Sequence, residues 1–292
     1  MSIAPSTASA IASVDALNGP PGFVNLHPDG SINYQLNRWL SAMTPQALTD
    51  VAEVAVGISN YDQFIGEFLA LADKLLAQGR RRDAAFCLRA ADFFLPVGDE
   101  RKTPTQTRFL ELVREVYGIG PGQYDAVPYA GGVLPALRLG RPDRGSVLIT
   151  GGFDGYLEDR FAMMLAITHA GYQVIAFDGP GQGAALEDSG MIFTTEWHRA
   201  VGAVLDHFGL HQAALIGSSL GGCLAIRRRG RTADHQGRGL RRMHRPARMQ
   251  PADAPTGGPC ASRAAIWAWK SSPPAGRQPR PIWERIALVS LD

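Results

Sequence analysis

The stretch Leu215-Ile216-Gly217-Ser218-Ser219-Leu220-Gly221-Gly222 constrains this chain more than any other. A short apolar run leads into Gly-x-Ser-x-Gly, and the apolar Cys223-Leu224-Ala225-Ile226 follows the pair Gly221-Gly222. Apolar segments on either side of a glycine-rich centre predict a buried strand, a sharp turn and a helix, with Ser219 at the apex. Side chains at the flanking positions would collide across so tight a turn, which is why glycine stands there. A serine hydroxyl held at such an apex becomes a useful nucleophile only when a base takes its proton. The tetrahedral intermediate it forms also needs N–H donors aimed at its oxyanion.

The chain before the elbow changes period once. Tyr61, Phe64, Ile65, Phe68, Leu69, Ala72, Leu75 and Leu76 recur at three- and four-residue steps after Ser59-Asn60, and Gly79 closes the run. A second helix is predicted over Arg82 to Phe94, stopped by Pro96, and a third after Thr103-Pro104 with Phe109, Leu112, Val113 and Tyr117 on its apolar side. The first two resemble a tetratricopeptide-like hairpin, but no second copy follows at a fixed period, so a helical bundle is expected instead. From Tyr124 the pattern turns to strands. Tyr129 to Leu139 predicts a β-hairpin with a Gly-Gly turn. Ser146 to Thr150, Gln173 to Phe177 and Ala213 to Ile216 are short apolar strands, separated by helical stretches over Leu157 to Ala170 and Thr195 to Phe208. Buried strands alternating with helices predict an α/β fold, a doubly wound, mostly parallel sheet. The expected organisation is a disordered lead-in over 1–22, a helical N-terminal domain over 23–123, and the α/β core over 124–226.

In such sheets functional groups collect at the carboxyl ends of strands. Gly151-Gly152, Asp178-Gly179 and Ser219 each stand at such an end. Ser219 is the expected nucleophile. The N–H of Leu220, just after it, and that of Phe153, in the loop after Thr150, are the expected oxyanion donors. Taken alone, Gly151-Gly152 would be a plain strand-to-helix turn; its place ahead of the elbow is what favours the oxyanion role. Asp178 to Gly183 lacks the Lys-Ser/Thr of a phosphate loop and the glycine spacing of a dinucleotide fingerprint, so it is expected to be a turn shaping the pocket rim. His169, His198, His207 and His211 precede the nucleophile on helices or a helix end, where surface or capping roles are expected.

Three segments together resemble a known family: Gly151-Gly152-Phe153-Asp154-Gly155-Tyr156-Leu157-Glu158-Asp159, Phe177-Asp178-Gly179-Pro180-Gly181-Gln182-Gly183, and Gly217-Ser218-Ser219-Leu220-Gly221-Gly222. From about Tyr61 to Ile226 the chain is similar to the α/β-hydrolases with a helical N-terminal domain, the family of 2,6-dihydroxypseudooxynicotine hydrolase and the fungal polyketide chain-shortening hydrolases. The resemblance implies a serine hydrolase that cleaves an ester or a carbon–carbon bond in an acyl-aromatic or polyketide-like ketone. It makes Ser219 the nucleophile, has the helical domain help to cover the active site, and places the acid and histidine after later strands.

Beyond Ile226 the character of the chain alters. Residues 1–226 carry 15 Lys+Arg and 23 Asp+Glu, whereas residues 227–292 carry 14 and 4, so a segment of net −8 is followed by one of net +10. Arg227-Arg228-Arg229-Gly230-Arg231 opens an Arg-, Pro- and Gly-rich run with hardly an aliphatic residue before Ile266, and only Ile282 to Leu291 looks strand-like. His235, His244, Asp234, Asp253 and Asp292 stand in no recognisable post-strand loop, so neither acid nor base is assigned. A basic nucleic-acid-binding arm would not explain the missing half of a sheet. A disordered tail or a reading frame that slips near Ile226 remain as accounts; a one-nucleotide shift across Arg227 to Arg248 can be made to encode a helix end, a turn and a strand. A sheet ending at the elbow strand would expose an edge and lower solubility.

The remaining bulk features exclude several classes. The 292 residues, 45% hydrophobic and 19% charged, suit a globular protein with a sizeable core. No apolar run reaches membrane-spanning length. The three scattered cysteines Cys87, Cys223 and Cys260 give neither a disulfide framework nor metal spacing, which fits a cytoplasmic location. No cofactor or metal is expected. The expected partners are a small-molecule substrate and a second copy of the chain in a homodimer, with no membrane and no nucleic acid.

Overall fold

In the computed structural model of the chain, residues 23–224 and 289–291 are described. The expectations for the lead-in 1–22, and those for His235, His244, Asp234, Asp253, Asp292 and the arginine-rich run around them, lie outside these residues. The described chain divides into two compact units, one running to Pro121 and including Phe161–Ala166, the other formed by Gly122–Arg160 and the chain from Ile167 onward.

The first unit is helical. Asp29 opens α1 (Gly30–Leu40) by accepting from the Ser31 and Ile32 N–H groups at 2.8 and 2.9 Å. Helix α2 (Ala47–Ala55) follows, then α3 (Tyr61–Ala77), capped by Asn60 on the Gln63 N–H at 2.9 Å. Gly79 turns the chain at φ +74° into α4 (Arg81–Phe94). Helix α5 (Lys102–Tyr117) begins two residues before Pro104, earlier than predicted, because a first-turn proline gives up only an N–H that has no intrahelical acceptor.

Helix α4 packs against α3, α5 and α1 and is buried from Asp83 to Asp92. Burying Phe86 and Leu88 contributes about 2 kcal/mol each. The same burial forces its charges into pairs. Asp83 accepts from the Thr44 N–H and hydroxyl at 2.7 and 2.8 Å and from the Arg80 guanidinium, while Asp92 pairs with Arg89 at 3.0 Å and Lys102 at 2.9 Å. Cys87 is fully buried on this helix, and burial, reinforced by Asp83 and Asp50, pushes its thiol well above the ordinary range.

The second unit is built on a six-stranded sheet in the order β1-β2-β4-β3-β5-β6. Strands β1 (Tyr124–Tyr129) and β2 (Gly132–Leu139) form the predicted hairpin, but its two turn residues are Ala130 and Gly131, at φ +47° and +81°. Gly132 already pairs with Tyr129, and the Met191 methyl packs over it. Strands β3 (Ser146–Thr150) and β4 (Gln173–Phe177) are parallel neighbours, and β5 (Ala213–Gly217) is parallel to β3 on its other side. Strand β2 meets β4 antiparallel, and β6 (Val289–Leu291) meets β5 antiparallel. The sheet is therefore mixed, with its parallel block confined to the central three strands. The edge expected to stand open beside β5 is paired over Ala213–Leu215.

Helix α6 (Phe161–His169) lies between β3 and β4 in the chain, and α7 (Gly183–Glu187) and α8 (His198–His207) between β4 and β5. The core beside the sheet gathers Val127, Leu148, Ile175, Phe177, Val204 and Leu215. The chain runs from β3 to β4 on one side, then crosses to β5 on the other. The crevice between the carboxyl ends of β3 and β5 is thus the topological switch point.

Candidate active site

At that crevice β5 ends in Gly217, and the Ser218 N–H donates to the Thr150 carbonyl at 3.1 Å, tying the end of β5 to the end of β3. Ser219 follows at φ +56°, a left-handed conformation that costs a non-glycine residue energy. Helix resumes at once over residues 220–224. The strand, strained serine and helix of the predicted elbow are all present. Its glycines are sterically required: a Cβ on Gly217 would strike the Gly221 carbonyl, and one on Gly221 would strike the Gly151 carbonyl. A Cβ on Gly152 would lie 2.7 Å from the Ser219 Cβ and 3.1 Å from its Oγ. Gly152 and Ser219 therefore touch.

Ser219 is exposed, and its Oγ has no hydrogen-bond partner among the described residues. The Leu220 N–H opens a helix, where no intrahelical acceptor reaches it, and the Phe153 N–H likewise donates to no described acceptor. The Phe153 ring is 67% exposed and stacks on Phe193, with centroids 5.6 Å apart and planes within 8°.

The turn after β4 differs from its expected place on a pocket rim. Asp178 to Gln182 are buried, and Gln182 completely so. A polar side chain can stand there because every hydrogen-bonding position of its amide is used. Gln182 Nε2 donates to the Gly151 carbonyl at 2.7 Å and the Gly152 carbonyl at 3.0 Å. Gln182 Oε1 accepts from the Thr150 hydroxyl at 3.1 Å and the Gly179 N–H at 2.9 Å.

Asp178 is also buried, but one of its carboxyl oxygens, Oδ1, has no hydrogen-bond partner among the described residues. Burial raises its pKa to about 7; nearby Arg160 opposes the rise, while Glu158 and Asp159 add to it. Gly183 lies so close that a Cβ would strike the Asp178 carboxylate. Sequence reasoning missed both Gln182 and the state of Asp178. The available signal was a long amide side chain set among glycines and proline, directly after a strand buried on both faces.

His207 lies 3.8 Å from Asp125 on β1, an edge strand, and His211 is exposed ahead of β5. His169 ends α6 and His198 begins α8. None is hydrogen-bonded to Ser219. Among the described residues no group of three His, Cys, Asp or Glu is placed to hold a metal ion, and no helix is long and apolar enough to cross a membrane.

A family model described as the alpha/beta hydrolase fold matches residues 146–227, from the start of β3 through the elbow. Over these residues the chain carries the α/β-hydrolase fold. The chain is 32% identical over 168 residues to the alpha/beta hydrolase psoB of Aspergillus fumigatus, a match covering 48% of this chain and 38% of the relative. It is 38% identical over 92 residues to 20-hydroxy-prefusarin hydrolase FUS2 of Gibberella moniliformis, covering 28% of this chain and 22% of the relative. Among solved structures it shares its fold with AbyA5, at a TM-score of 0.53 and 17% identity over 67% of this chain and 58% of that one. The chain spans about half or less of the length of the curated relatives it matches.

Proposed function

We propose that the chain is a serine-nucleophile hydrolase acting on a small molecule, cleaving an ester or the carbon–carbon bond of an acyl-aromatic or polyketide-like ketone. The observation that carries this is Ser219 at φ +56°, exposed at the switch point and touching Gly152. In the proposed reaction Ser219 Oγ attacks the substrate carbonyl carbon and its proton passes to a base. The carbonyl oxygen becomes an oxyanion, which the Leu220 and Phe153 N–H groups stabilise. Collapse breaks the bond to the leaving group, which takes the proton from the base; water, giving a proton to the same base, then releases the acyl group as an acid and restores the serine hydroxyl. The relative named for 20-hydroxy-prefusarin supports a small organic substrate. Cys87 and Cys223, neither in a disulfide, support a reducing, cytoplasmic setting.

A second reading follows from Ser219 Oγ having no partner among the described residues: a hydrolase-like chain that binds its ligand without turning it over. A fluorophosphonate probe separates the two. Labelling of the wild type that disappears in Ser219→Ala supports the hydrolase, and an unlabelled wild type supports the binder.

A further inference from the structure

We propose that Gln182 is a positioning residue that sets the direction of the Phe153 N–H, and hence one half of the oxyanion site; this deepens the serine-hydrolase proposal and rests on it. A peptide unit is planar and trans, so its carbonyl and its N–H point to opposite sides. The Gly152 carbonyl and the Phe153 N–H belong to one such unit. The carbonyl is drawn inward to Gln182 Nε2 at 3.0 Å, which sends the N–H outward. Gly152 is in contact with Ser219, so the peptide that Gln182 holds adjoins the nucleophile.

No other hydrogen bond among the described residues holds the Gly152 carbonyl. Two successive glycines precede the peptide, and glycine permits either orientation of the plane. The Gly151 carbonyl shares the same Nε2 at 2.7 Å, so two consecutive peptides are fixed by one NH2 group. The amide itself cannot rotate freely. Its Oε1 is engaged by the Thr150 hydroxyl at the end of β3 and by the Gly179 N–H in the turn after β4. Exchanging the amide's oxygen and nitrogen would face two carbonyls with an oxygen and two donors with an NH2 group. The four bonds therefore specify a single orientation.

The discriminating variants are Gln182→Glu and Gln182→Leu, with Thr150→Val as a milder third. Gln182→Glu keeps an acceptor for Thr150 and Gly179 but sets a carboxylate against the two carbonyls, whereas Gln182→Leu removes all four bonds. In folded protein, kcat on an aryl ester and the rate of fluorophosphonate labelling should fall about 10²–10³-fold with KM little changed, the effect of losing an oxyanion donor. Thr150→Val leaves the two carbonyl bonds in place and should lose far less. A merely structural role would lower thermal stability without this split between kcat and KM. If Gln182→Leu fails to fold, Gln182→Glu carries the test. A wild type that labels beside a folded Gln182→Glu that labels equally fast overturns the assignment. The Gln182 side-chain NH2 protons should also exchange with solvent about 100-fold or more slower than those of an exposed glutamine, independently of turnover; fast exchange overturns the clamp itself. Slow exchange in a wild type that never labels refutes the serine-hydrolase proposal and the oxyanion role together, leaving the clamp as geometry.

Discussion

At the scale of single residues, strain and tight contact distinguish the elbow from an ordinary turn. Ser219 at φ +56° should be more costly as alanine than as glycine, since only glycine enters that region freely. Ser219→Gly is expected to be about 1 kcal/mol more stable than Ser219→Ala in urea unfolding, although neither carries a nucleophile. Equal stabilities would show the serine to be unstrained. Gly221→Ala forces a methyl against the Gly151 carbonyl and should cost about 1–3 kcal/mol as well as fluorophosphonate labelling. The glycines around Ser219 were legible in the sequence because sterics alone demand them. Asp178 and Gln182 were not, because their behaviour depends on burial and on partners brought together only by the fold. A turn of Asp, Gly, Pro and Gln is exposed far more often than it is buried.

At the scale of elements, legibility followed periodicity. Helices α3 and α4 stand close to their predicted bounds because each presents a long apolar repeat. Helix α7 has five residues, too few to show a period, and the sequence predicts no element there. The mixed character of the sheet was hidden for another reason: a five-residue apolar strand has the same appearance whichever way its neighbours run. The hairpin turn also stood one residue earlier than its glycines suggested, and this leaves an opportunity. Ala130 occupies a left-handed position that asparagine or glycine fills at lower cost. Ala130→Gly should raise stability by about 0.5–1 kcal/mol, read as a higher urea midpoint at an unchanged slope. A lower midpoint would mean that the turn is relaxed as it stands.

At the scale of the whole molecule, the two units should respond to different probes. Asp178 carries its proton in the fold up to about pH 7, but an unfolded chain releases it near the ordinary carboxylate value of 3.8. Between those limits the folded state binds more protons than the unfolded one, so the stability of the sheet unit falls as pH rises from about 4 to 7 and is level above that. The displacement corresponds to roughly 4 kcal/mol at most. Urea unfolding at pH 5 and pH 8 should show the wild type weaker at the higher pH, with Asp178→Asn losing most of that difference. A variant with the wild-type pH slope would place the titration elsewhere. For the helical unit the counterpart is Cys87, whose sealed thiol on α4 cannot meet a reagent until the surrounding helices part. In a chain whose other two cysteines are replaced by serine, the speed of modification by an aromatic disulfide therefore becomes a clock for rare excursions of that bundle. Comparing this clock with urea unfolding would reveal whether the helices breathe on their own or open only when the entire chain lets go.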